Sequence, residues 1–162
     1  MITSESLFLS VHVLLSLVGI LSGLIVLYGL LNSQPLRGWT ALFLSTSILT
    51  SLTGFPLPPF GLDPARVVGA ISLVLLGLAA IALYSFSLAG LARPIYIASA
   101  TAALYLNVFV GVAQAFQKVS LLSSLAPTQS EPPFLVAQTI VLAVFVLFGV
   151  LAVRRFHPGF QT

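Results

Sequence analysis

Apolar residues along the chain are grouped into long runs, separated by short polar segments in which proline is frequent. Five runs approach the roughly 20 apolar residues that a helix needs to cross the hydrocarbon core of a bilayer. They predict transmembrane helices over residues 7–31, 38–55, 66–92, 94–117 and 133–153. We therefore predict an all-α fold, in which a single transmembrane domain of five helices occupies residues 1–162.

The second run is the weakest of the five, because Ser and Thr occupy six positions between residues 45 and 53. Hydroxyl groups can return their hydrogen bonds to carbonyls of their own helix, so such a segment can still enter the bilayer. An arrangement of four spans, without residues 38–55, is the alternative.

Composition excludes the soluble classes of protein. Only 6% of the residues are charged and 59% are apolar, whereas an ordinary soluble domain is about 25% charged. So few charges cannot cover the surface of a soluble or disordered chain. Cysteine is absent, which also excludes disulfides, thiolate nucleophiles and cysteine-ligated metals.

Loop charges favour five spans over four. With five spans, four of the six basic residues fall on one side of the membrane, namely Arg37, Arg93, Arg154 and Arg155. The positive-inside rule then predicts an extracellular N-terminus and a cytoplasmic C-terminus. Four spans would divide the basic residues equally and predict no orientation.

The same arrangement distributes the remaining charges and aromatic residues consistently. All three acidic residues lie outside, and Arg154 with Arg155 forms an anchor facing anionic lipid. The basic residues are too scattered to bind nucleic acid. An interfacial aromatic belt is predicted at the cytoplasmic ends, consisting of Tyr28, Trp39, Tyr84 and Tyr96.

Polar residues inside the spans indicate where a site would lie. The fourth span carries a stripe at helical spacing, formed by Asn107, Gly111, Gln114, Gln117 and Lys118. His12 and Gln138 lie at a similar depth in the outer leaflet, and convergent polar groups are typical of a small-ligand pocket. The candidate ligand-binding residues are His12, Asn107, Gln114, Lys118, Glu131 and Gln138.

Each of these residues also has a purely structural interpretation. Asn and Gln often hydrogen-bond between transmembrane helices without binding a ligand. His12 would then be a neutral side chain bonded to a neighbouring helix, and Glu131 would cap the fifth span.

Catalytic and metal sites receive little support from the sequence. An enzyme would need a nucleophile, a base and an orienting group; Ser51, His12 and Glu131 have no motif spacing, so we predict no catalytic residues. Only Glu131 and Asp63 could join His12 as ligands of a metal ion. A bis-histidine haem would need His157 as its second ligand, and this residue lies a membrane thickness away from His12. We expect no metal and no cofactor.

Two resemblances bear on the class of protein. Residues 105–118 (YLNVFVGVAQAFQK) and 125–134 (LAPTQSEPPF) resemble uncharacterised bacterial multi-pass membrane proteins. This resemblance implies a bacterial inner membrane and no catalytic residues. The five-span size is similar to that of the translocator-protein family, which binds porphyrins and sterols. That family is rich in tryptophan and this chain has only Trp39, so the likeness is of size alone.

Three functions follow as hypotheses. The first is a small integral membrane protein that binds a small or lipid-like molecule in an outward-facing polar pocket. A wider version of this hypothesis adds transport of that molecule. The second is a non-catalytic assembly protein, in which the GxxxG of Gly19 and Gly23 contacts a second copy or a membrane partner. An intramembrane enzyme ranks last.

Overall fold

The computed structural model describes residues 4–57 and 64–157. Within these ranges the regular structure is entirely helical, as the sequence predicts. The helices are α1 (Ser4–Leu31), α2 (Arg37–Gly54), α3 (Pro64–Ala80), α4 (Ala92–Lys118), α5 (Ser120–Leu125) and α6 (Pro132–Arg155). A π-helical turn, Ile81–Ser85, extends α3.

Four helical segments of the described chain are long and apolar enough to cross a membrane. They are Ser6–Leu31, Pro64–Ser85, Ala92–Lys118 and Pro132–Arg155. The 18-residue α2 is not among them, because its many hydroxyl residues lower its hydropathy. The structure thus supports a helical membrane protein, with four candidate spans among the described residues.

The third predicted span ends earlier than the sequence indicates. We predict helix to residue 92, whereas the helical segment ends at Ser85. Ser87, Leu88 and Gly90 adopt positive φ angles, which a right-handed helix does not accommodate. Residues 86–91 are therefore an irregular connection, although their composition is largely apolar. The other predicted bounds agree with the structure to within about three residues.

Apolar side chains cover the outside of the bundle as well as its core, and several polar side chains are buried. Leu14, Leu21 and Val74 are more than half exposed. The buried polar residues are Ser22, Thr40, Thr46, Ser47, Ser51, Ser72, Ser99, Thr101 and Gln138. Lipid accepts an exposed leucine without cost, whereas a hydroxyl or an amide needs a partner within the protein. This distribution is that of a membrane bundle.

The helix α4 forms the centre of the bundle and packs against α1, α3 and α6. Its buried face contains the small residues Ala100 and Ala103, which allow neighbouring helices to approach closely. A smaller apolar cluster lies near the C-terminal end of α4. There Phe116 meets Phe134 edge to face, with ring centroids 5.4 Å apart.

Hydrogen bonds between side chains and backbone groups join three segments at the arginine-rich end of the bundle. The Arg93 guanidinium donates to the carbonyl of Phe156 at 2.6 Å. Ser33, between α1 and α2, donates to the carbonyl of Arg155 and accepts from the His157 amide. The first loop, the start of α4 and the end of α6 therefore lie together.

Three of the four predicted belt residues are exposed, as a position in a belt would require. Tyr28, Trp39 and Tyr84 are exposed. Tyr96 is instead buried, because it lies on the face of α4 that forms the core. It belongs to the interior packing and not to an interfacial belt.

Candidate functional site

His12 joins α1 to α2 near the end of the bundle opposite the arginines. Its Nδ1 lies 2.9 Å from the hydroxyl of Thr53. That hydroxyl donates to the carbonyl of Leu49 at 2.7 Å, so the ring nitrogen is the donor in the contact with Thr53. The neutral ring then carries its acceptor lone pair on Nε2. This arrangement matches the interpretation of His12 as a histidine bonded to a neighbouring helix.

Asn107 joins α4 to α2 deeper in the bundle. Its Nδ2 donates to the hydroxyl of the fully buried Ser47 at 2.9 Å. Gly19 of α1 packs against the same hydroxyl, since a Cβ at Gly19 would lie 3.1 Å from Ser47 Oγ. Three helices meet at this hydrogen bond.

Both glycines of the GxxxG segment are buried between helices of the same chain. A Cβ at Gly23 would lie 2.5 Å from Leu104 and 2.8 Å from the ring of Phe43. Gly19 and Gly23 are both buried, and their shared face is covered by α2 and α4.

Gln138 joins α6 to α4, and it is only partly satisfied. Its Nε2 donates to the carbonyl of Phe109 at 3.0 Å. Its Oε1 is buried without a hydrogen-bond partner in the described part of the chain, as is the hydroxyl of Thr50. Among the described polar side chains at this end of the bundle, these two buried atoms are the ones left without a hydrogen bond.

The last three predicted residues lie near the surface. Gln114 and Lys118 are exposed. Glu131 immediately precedes α6, but its carboxylate turns back to accept from the Thr128 amide, the Thr128 hydroxyl and the Ser130 amide. Desolvation acts to raise the pKa of Glu131, and these hydrogen bonds outweigh it and hold the pKa below its ordinary value.

The structure therefore connects the predicted residues to separate local partners. His12, Asn107 and Gln138 each bridge a different pair of helices. Among the residues with described structure, no group of three His, Asp or Glu side chains could hold a metal ion.

A groove between α4 and α6 has a volume of about 440 Å³. Its α4 wall is formed by Ala98, Thr101, Ala102 and Tyr105. Its α6 wall includes Leu142, Phe145, Val146, Gly149 and Arg154. Apart from Thr101, the Tyr105 hydroxyl and Arg154, these walls are apolar, and the groove is open along one side.

Thr101 lines this groove, but its hydroxyl oxygen is buried and unpaired. The side chain is only 6% exposed, and its Oγ1 has no hydrogen-bond partner in the described chain. Other buried hydroxyls, including those of Thr46 and Ser99, donate to the carbonyl four residues earlier at 2.7 and 2.6 Å. An unpaired buried polar group costs about 1–3 kcal/mol.

Gly149 allows α6 to approach Thr101. A Cβ at this position would lie 3.4 Å from Thr101 Cγ2, at the limit of ordinary van der Waals contact.

Sequence reasoning missed this groove because it ranked Asn, Gln and His above a single Thr. A detectable signal is present nevertheless. Residues 98, 101, 102 and 105 recur at the spacing of one helix face, and two of them are alanines. A stripe of small residues with one hydroxyl is typical of a packing face between membrane helices. It is equally typical of a recess on the helix surface.

Comparison with known proteins identifies no relative of this chain. The chain matches no protein-family model, no curated protein and no solved structure. The resemblance of residues 105–134 to bacterial multi-pass membrane proteins stays a prediction, and the functional conclusion depends on the fold and its groove.

Proposed function

We propose that this protein is a five-span integral membrane protein that binds a lipid-like molecule in the groove between α4 and α6. In this proposal the N-terminus is outside, the C-terminus is cytoplasmic, and the membrane is a bacterial inner membrane. The observation that carries the proposal is the apolar groove itself, which is lined by small residues of α4 and by Gly149 of α6.

The packing of α2 along α1 supports five spans. His12 contacts Thr53 and Gly19 packs against Ser47, so the two helices run antiparallel over much of their length. Eighteen residues extend about 27 Å, close to the thickness of the hydrocarbon core. The hydroxyls of Thr46, Ser47 and Ser51 are buried in the bundle, which lowers the cost of inserting α2.

The arginine distribution supports the orientation. The contacts from Ser33 and Arg93 to the end of α6 bring the first loop and the start of α4 beside it. Arg37, Arg93, Arg154 and Arg155 then share one end, which the positive-inside rule assigns to the cytoplasm.

The shape and lining of the groove support a lipid-like ligand over a polar metabolite. Leu142, Phe145 and Val146 offer apolar surface, and the open side faces the hydrocarbon region expected around α4 and α6. A polar ligand would exchange water for this apolar wall at a net cost. An acyl chain already dissolved in the membrane pays no such cost.

Photocrosslinking tests this function. The protein is reconstituted in bilayers that contain a trace of a fatty acid with a photoreactive group in its chain. We expect adducts on residues 98–105 and 142–154, with a lower yield in Ala102→Leu, since Ala102 is half-buried and lines the groove. The matched control is Gly77→Leu, at a position with open space around it.

Two outcomes would contradict the proposal. One is labelling spread evenly over the exposed faces of α1, α3 and α6. The other is a groove yield that Ala102→Leu leaves unchanged.

The outward-facing polar pocket is a second candidate, favoured by the unpaired Thr50 hydroxyl and Gln138 Oε1. A cysteine introduced as Thr50→Cys would be unique in the chain. Its reaction with a membrane-impermeant thiol reagent from outside would support such a pocket. Absence of reaction in a folded protein would exclude an open one.

A further inference from the structure

We infer that the contacts around the end of α6 form a latch, which sets the width of the groove between α4 and α6 and the rate at which a bound lipid-like molecule leaves it. The latch consists of Ser33, Arg93 and residues 155–157. This inference rests on the proposed binding function and specifies its regulation.

Two hydrogen bonds between α4 and α6 bracket the groove. At the arginine-rich end, the Arg93 guanidinium donates to the carbonyl of Phe156 at 2.6 Å. At the other end, the Gln138 amide donates to the carbonyl of Phe109 at 3.0 Å. The residues that line the groove lie between these two contacts on both helices. The two hydrogen bonds therefore hold α6 against α4 on either side of the groove.

Between these contacts α6 is loosely held. Only four of its 24 residues are buried, namely Phe134, Gln138, Phe145 and Ala152. These residues are spaced by four or seven positions, so α6 packs through one narrow stripe. The central helix α4 buries nine of its 27 residues by comparison. Because so little of α6 is enclosed, it is the wall of the groove that moves.

The contact at Gln138 is the fixed one of the two. Its side chain is 8% exposed, and within a membrane span no water replaces its hydrogen bond. One turn earlier on α6, Phe134 packs edge to face against Phe116 of α4. The pivot of α6 is therefore at this end.

The latch is the end that can be released. The last carbonyls of a helix have no partner within it, and Ser33 and Arg93 donate to those of Arg155 and Phe156. At the end of the bundle, water can replace either donor. The Phe156 side chain is 2% exposed and belongs to the main core cluster, so its burial favours the latched state. A minor open state, with this end of α6 released, widens the groove.

Thiol reactivity at two buried positions measures this opening, since the chain contains no cysteine of its own. Ala152→Cys places a thiol one turn before Phe156, at a position that is 0% exposed. The matched position is Ala126→Cys, which is 1% exposed and packs with Phe116 and Phe134 at the opposite end. Reaction of a buried thiol with a small water-soluble reagent follows the population of the open state.

Arg93→Gln should raise the reaction rate of Ala152→Cys about tenfold, as for the loss of one charge-assisted hydrogen bond. It should leave the rate of Ala126→Cys unchanged. Ser33→Ala removes neutral hydrogen bonds from the same latch and should raise the Ala152→Cys rate about threefold. The matched control is Arg37→Gln, which should change neither rate, since this exposed arginine at the start of α2 makes none of the latch contacts.

Release of a bound molecule connects the latch to the groove. Protein in bilayers is loaded with the photoreactive fatty acid, chased with an excess of unlabelled fatty acid, and illuminated at intervals. Labelling of the groove should decay about tenfold faster in Arg93→Gln than in the wild type or in Arg37→Gln.

The failures are distinguishable. An unchanged Ala152→Cys rate in Ser33→Ala, or in a folded Arg93→Gln, would overturn the latch while lipid binding stands. An equal rise at Ala126→Cys would show general loosening of the bundle and would also overturn it. Faster thiol reaction with unchanged lipid release would overturn control of the groove by the latch. Absence of groove labelling in the wild type would overturn the proposed function, and the thiol rates would still decide whether the latch opens.

Discussion

Asn107 on α4 donates its amide hydrogen to the hydroxyl of Ser47 on α2 across a 2.9 Å contact, and the serine is fully buried. The polar stripe on α4 therefore serves, at its deepest position, to join two helices. Because an amide exposed to hydrocarbon is costly, this pair favours one register of α2 against α4.

Removing this pair should show coupling between its two members. We expect Asn107→Leu and Ser47→Ala each to destabilise the bundle, with a coupling energy of about 0.6–1.7 kcal/mol, the range of such bonds between membrane helices. Unfolding of both single variants and the double variant by denaturing detergent measures it. Strictly additive effects would show that the contact contributes no stability.

The close approach at Gly23 predicts a steric penalty. A methyl group there would meet Leu104 and Phe43 at 2.5 and 2.8 Å, so Gly23→Ala should cost about 1–3 kcal/mol of unfolding free energy. Gly77→Ala is the matched control, since nothing lies within 4 Å of its added methyl. It should be neutral or stabilising by up to about 1 kcal/mol. Equal effects of the two substitutions would contradict the packing of α1.

The turn before α6 should open in acid. The folded pKa of Glu131 is lowered, so the carboxylate stabilises the turn fully above its ordinary pKa of 4.5. That contribution is lost as the pH falls through the lower, folded value. Hydrogen-exchange protection of the Thr128 and Ser130 amides should decline in this window. Glu131→Gln should abolish the decline, and a decline that persists in this variant would assign it to another group.

Five spans predict that the two ends of α6 are accessible from opposite sides. Because the chain contains no cysteine, single substitutions report without background. His157→Cys should react with an impermeant reagent only in inverted vesicles, and Ser124→Cys only in right-side-out vesicles. To test α2 itself, Asn32→Cys should react from the same side as His157→Cys, and Leu57→Cys from the opposite side. Reaction of positions 32 and 57 from one side would exclude α2 as a span.

Helix positions could be predicted from sequence because hydrophobic run length is a local property. The start of α2 at Arg37 and of α6 at Pro132 lie within one residue of prediction. The end of the third span could not be predicted, since residues 86–91 are apolar and their break depends on the positive φ of Ser87 and Leu88. Composition carries no information about that backbone geometry.

The candidate site was less predictable, because polarity reveals which residues need a partner but not which partner they find. Asn107 finds Ser47 and His12 finds Thr53 on neighbouring helices. Thr101 has the opposite outcome, since a hydroxyl that usually bonds to its own helix is left buried and unpaired. Only the packing of α6 against α4 distinguishes these cases.

Native mass spectrometry of the protein released from bilayers tests lipid binding in the α4–α6 groove most directly. We predict one phospholipid retained per chain, lost in Ala102→Leu and kept in the control Gly77→Leu, with both variants folded. A wild-type chain released without lipid, or a folded Ala102→Leu that retains it equally, would contradict the groove as a lipid site.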